Sequence, residues 1–97
     1  MEAGLESKLA LRNLQVLSEG RSHTLFFRDR FIALVERTES GFGSIGSTGV
    51  LTEGGLSYLV WREGRALLVS KGSESEADAG LLEALRRFSD DLKAALA

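Results

Sequence analysis

The sequence predicts an α+β fold, an antiparallel β-meander of about five strands followed by an amphipathic C-terminal helix. Short apolar runs rich in aromatic and β-branched residues recur between polar or glycine-containing turns, as antiparallel hairpins require. Over the final segment the apolar residues instead return every three or four positions, the spacing of a helix. Proline is absent and eleven glycines punctuate the chain, six of them between Gly41 and Gly55. A chain of 97 residues with 43% hydrophobic content makes one domain, 1–97, able to bury a core without metal or disulfide.

Residues 5–18 read two ways. Leu, Ala, Glu, Lys, Arg and Gln dominate, which favours a helix ended near Gly20. As a strand, the alternation through Leu9 and Leu11 changes phase to Leu14 and Val16 and needs a bulge. Next, Thr24–Phe27 and Phe31–Val35 flank Arg28-Asp29-Arg30 and read as a hairpin. Gly49–Glu53 is a shorter strand turned by Gly54-Gly55. Leu56–Trp61 and Ala66–Val69 flank Arg62-Glu63-Gly64-Arg65, whose Glu-Gly suits a tight turn. Ser73-Glu74-Ser75-Glu76 has capping-box spacing. Leu81, Leu85, Phe88, Leu92 and Leu96 then form one stripe, with Gly80 weakening the first turn so that the stable helix begins near Asp78.

Gly41-Phe42-Gly43-Ser44-Ile45-Gly46 matches G-x-G-x-x-G, the letters of a dinucleotide fingerprint. Its setting is wrong, because the fingerprint needs a helix directly after the glycines and Ser47–Gly55 is glycine-rich and β-branched. The stretch reads as a long, flexible or bulged connection between strands. A weaker reading lets Gly41, Gly43, Ser44, Gly46, Ser47 and Thr48 cradle an anion through backbone N–H groups and hydroxyls. Phe42 and Ile45 are apolar where a solvent loop is polar, and are expected to fold back on the core or touch a partner.

Nothing in the chain composes a catalytic centre. There is no cysteine, His23 is the lone histidine, and no G-x-S-x-G frame exposes a serine. No catalytic residue, metal or cofactor is expected. Twelve basic residues against fourteen acidic ones leave no basic stripe, so general nucleic-acid binding is not expected. One exception is conditional: if the two hairpin tips lie at one end of the sheet, Arg28, Arg30, Arg62 and Arg65 converge and, with strand aromatics, suit single-stranded nucleic acid. The acidic start lacks the basic and apolar stretches of a secretory leader, and no run is long enough to span a membrane, so a cytoplasmic location without membrane contact is expected.

Phe31–Val35 is apolar at every position, and Leu56–Trp61 is apolar on both faces. One helix covers one face, so the other needs a cover: residues 5–18 if they are helical, which puts one helix on each face, or a second copy, which is the economical one. Candidate contact residues are Phe42, Ile45, Leu81, Leu85, Phe88 and Leu92. Three functions follow in order: a non-enzymatic interaction or regulatory module acting as a homodimer, with a further protein partner open; a small-ligand or anion-binding domain using Gly41–Gly55; and a single-stranded nucleic-acid binder.

Overall fold

A computed structural model describes residues 3–52 and 55–97, apart from the Ala3 side chain. Helix α1 (Ala3–Leu11) leads into strands β1 (Gln15–Glu19), β2 (His23–Arg28), β3 (Phe31–Thr38), β4 (Gly41–Thr52), β5 (Gly55–Arg62), β6 (Arg65–Ser70) and β7 (Ser73–Glu76), and helix α2 (Ala79–Leu96) follows. The strands form one antiparallel sheet in chain order. The expected α+β meander is present, with seven strands in place of about five.

The two added strands come from segments whose composition favours something else. Residues 5–18 are helix and strand in succession. Asn13 takes the left-handed conformation at φ 58°, Leu14 N–H donates to Leu9 O (2.9 Å) and Asn13 N–H to Ala10 O (3.1 Å). That pattern is a Schellman cap, built on asparagine rather than on Gly20. Its accompanying apolar contact joins Leu9 to Leu14, both buried in the core. The bulge expected between Leu11 and Leu14 is replaced by this helix cap, and the irregularity of β1 lies further on, where its register with β2 slips between Val16 and Ser18. Ser73–Glu76 is the edge strand β7 and not a capping box. On the β7 strand Glu74 and Glu76 share a face and reach Arg62 and Arg65 across it, so alternation explains a spacing that also suits a cap. The cap of α2 is Asp78, whose Oδ1 accepts from Leu81 N–H at 2.8 Å.

The glycine-rich connection is also a strand. β4 pairs with β3 from Val50 back to Gly41, with two shifts of register. Ala33 faces Thr48, Val35 faces Ile45 and Arg37 faces Phe42, so β4 spends three residues where β3 spends two, twice over. Each surplus residue is a β-bulge. The bulges turn a period of two into a period of three. Phe42, Ile45 and Thr48 therefore share one face while Gly43, Ser44, Gly46 and Ser47 are exposed. The expected end of this strand at Glu53, and Gly54 of the turn beyond it, lie outside the described residues.

Both helices pack on the same face of the sheet. The core joins Leu9 of α1 and Leu85, Phe88, Leu92 and Ala95 of α2 to Phe26, Ala33, Val35 and Val50. Phe88 is fully buried and its ring centroid lies 6.2 Å from that of Phe31. The arrangement in which one helix covers each face is absent.

Candidate functional site

Antiparallel partners point to the same side of a sheet, so the register assigns every strand residue to a face. The face away from the helices carries the cross-strand pairs Leu25–Leu34, Phe27–Ile32, Leu51–Leu56, Tyr58–Val69 and Val60–Leu67. None of these ten side chains belongs to the helix-covered core. Ile32 is buried at the centre of this face and the other nine are partly exposed. The rim is charged. Arg62 bonds Glu74 at 2.9 Å, Arg65 bonds Glu76, and His23 stands opposite Glu36 on the β2–β3 side. No described helix covers this face.

The side chains expected at an interface take other positions. Leu85, Phe88 and Leu92 are buried between α2 and the sheet, and Leu81 packs against them. Phe42 and Ile45 fold back onto the same core, Phe42 meeting Phe26 edge-on at 5.5 Å and 67°. The apolar stripe of α2 is thus spent within its own chain.

The four arginines are not brought together. Successive turns of a meander alternate between the two ends of a sheet, so the β2–β3 and β5–β6 turns lie at opposite ends. Asp29 (φ 57°) forms the first turn, and Glu63 (φ 53°) with Gly64 (φ 77°) the second. Arg30 lies over the Phe31 ring at 5.5 Å. Arg28 is the most occupied of the four. Its Nη1 donates to Asp91 Oδ2 at 2.7 Å and to Arg12 O at 3.1 Å, and its guanidinium lies 5.7 Å from the Phe88 centroid. With only 17% of its side chain exposed, Arg28 ties the hairpin, the end of α1 and the last turns of α2 together. Arg28→Ala is expected to lower stability by about 2 kcal/mol, since it strands a carbonyl and a half-buried carboxylate. Urea melts of Arg28→Ala, Asp91→Ala and the double variant test this; additive losses would mean the pair is not coupled.

The carboxylate runs are likewise engaged. Asp78 caps α2, Asp91 holds Arg28, and Glu83 and Asp90 flank Arg86. The hydrogen bond from Arg86 holds the Glu83 carboxyl below its usual range. Among the described residues no three of His, Cys, Asp and Glu gather as a metal site. His23 is exposed, its Nδ1 3.0 Å from Ser22 Oγ.

The candidate anion-binding residues Gly41, Gly43, Ser44, Gly46, Ser47 and Thr48 stand along one strand rather than around a loop. Of these glycines only Gly41 has a positive φ, at 129°. The exposure of one strand aromatic and the steric role of one glycine were not read from the sequence. Trp61 is 64% exposed. Gly49, outside the G-x-G-x-x-G match, pairs with Tyr58 of β5, and a β-carbon there would overlap the Ser57 carbonyl oxygen. Trp61 ends an apolar strand run, so its sequence setting suggested burial, and no local pattern marked Gly49. No described helix is long and apolar enough to cross a membrane. Compared with protein-family models, curated proteins and solved structures, the chain matches none.

Proposed function

We propose that this protein is a non-enzymatic interaction module that works as a homodimer, joined through the sheet face its helices leave open. The carrying observation is the set of five apolar cross-strand pairs on that face. A sheet residue covers about 30 Å² of one face, so the patch spans about 300 Å². That is the scale of the largest apolar patches on monomers, which are often functional. A standard interface needs about 800 Å² from each partner, so the charged rim takes part as well. The rim suits a second copy because Arg62, Arg65, Glu74 and Glu76 carry both signs, so a two-fold axis can set each sign against its opposite.

Val60→Glu places a charge among the apolar side chains of the patch, twice in a symmetric dimer. It is expected to weaken association by about 3 kcal/mol, more than a hundredfold in Kd, with little effect on the monomer's fold. Sedimentation velocity should give twice the chain mass for the parent and one chain mass for the variant. A parent protein that stays monomeric at about 100 µM sinks the reading, because so weak an association is not an obligate dimer.

A further inference from the structure

We propose that the free edge of β4, walled by the flank of α2, binds a single extended peptide segment as an added strand. β4 pairs with β3 along its length but with β5 only from Gly49 to Thr52. Beyond Tyr58, β5 leaves β4 and pairs with β6 alone. Along Phe42–Thr48 the side of β4 away from β3 therefore has no ladder partner among the described residues. Backbone N–H and C=O groups in that state are a template for another strand.

Two hollows follow this edge and meet at Lys93. One, of about 410 Å³, lies between Phe42–Ile45 and the end of α2. The other, of about 540 Å³, lies between Thr48, Leu59, Trp61 and the Leu82 side of α2. A strand edge faced by a helix is an arrangement that holds an extended peptide by main-chain bonds and reads its alternate side chains in pockets. The exposed indole of Trp61 stands at the mouth of the second hollow.

The bulges decide the occupant. Two of them twist this edge, and bulged edges resist flat pairing with another sheet. With α2 along one side, the edge admits one strand rather than the rim of a second copy. The ligand's chemistry follows from the walls. Leu59, Trp61 and Leu82 take one bulky apolar side chain. On the helix wall Arg86 is engaged with Glu83 and Asp90, whereas Lys93 makes no ion pair with a described residue. Lys93 therefore favours an acidic group on the peptide. A segment of about six residues, roughly 20 Å long, matches the edge. This site lies apart from the open sheet face and does not depend on dimer formation.

The test is selection of random linear peptides against the full chain, with affinity read by fluorescence polarisation and the site by amide hydrogen exchange. Selected peptides are expected to pair an apolar residue with an acidic one and to slow exchange at 43–48. N-methylation of alternate peptide amides and Trp61→Ala should each weaken binding about tenfold or more. Lys93→Glu, on the exposed side of α2, should reverse the preference from acidic to basic peptides. Failure to enrich any peptide overturns the proposal, as does protection that maps elsewhere. Protection of 43–48 that grows with protein concentration alone overturns it too, by assigning the edge to a second copy. An altered oligomeric state leaves these outcomes unchanged, so this test and that of the dimer fail separately.

Discussion

Gly49→Ala is expected to destabilise the protein by about 3 kcal/mol, a large part of the 5–15 kcal/mol available to a domain. The reason is backbone against backbone. A β-carbon at Gly49 overlaps the Ser57 carbonyl oxygen and lies 3.0 Å from its carbon and 3.1 Å from Tyr58 Cα. None of these atoms can swing away, because Gly49 and Tyr58 are paired in the sheet and Gly49 faces Ile32 on its other side. Gly43→Ala is the control. There the nearest atom is the Glu36 carboxylate, the end of a flexible exposed side chain, with Thr38 Cγ2 at 3.1 Å, and a loss below about 1 kcal/mol is expected. Urea midpoints check the pair: Gly49→Ala should unfold about 2 M earlier than the parent and Gly43→Ala near it. Equal midpoints for all three proteins would show that the strands do not cross so closely. The contrast also bears on the fingerprint-like stretch, because the glycine with the strictest steric demand is outside the motif.

Phe88→Ala is the second large effect. The ring is fully buried, stacks at a tilt on Phe31, lies beside the Arg28 guanidinium and occupies the centre of the α2–sheet contact. Truncation removes its transfer energy and leaves a cavity that the sheet cannot close, for a loss of about 3–5 kcal/mol. Phe88→Leu keeps most of the volume and should lose about 1.5 kcal/mol. In thermal melts the alanine variant should fall by well over 10 °C, and the leucine variant by about a third of that. An alanine variant that melts with the parent would mean α2 is not seated on this face.

Much of this fold was legible because pattern and environment agree. The two central hairpins carry apolar runs around tight polar turns, and Glu63-Gly64 supplies the positive φ values its turn needs. The stripe from Leu81 to Leu96 faces the core as its spacing requires. β1 was hidden because its residues follow a helix without a glycine break; Asn13 does that work. β7 was hidden because hydroxyl and carboxylate at alternate positions suit a helix start as well as an edge strand. The first part of β4, before Gly49, was hidden because bulges give it a period of three, which matches neither regular pattern. The site features are less legible still. Which face the helices leave open, and where β5 parts from β4, depend on pairing between distant segments, and no local spacing encodes them.

The two bulges give β4 spare length. It uses seven residues, 42–48, to cover the span that β3 covers with five, 33–37. Losing one residue from either bulge restores the regular ladder at that step and leaves Phe42, Ile45 and Thr48 addressed to the same side. Losing one from 33–37 turns every side chain beyond it to the wrong side, because that stretch has no surplus. The two partners of one hairpin thus differ in how they bear insertion and deletion: one strand can change length while the core stays in register, and the other cannot.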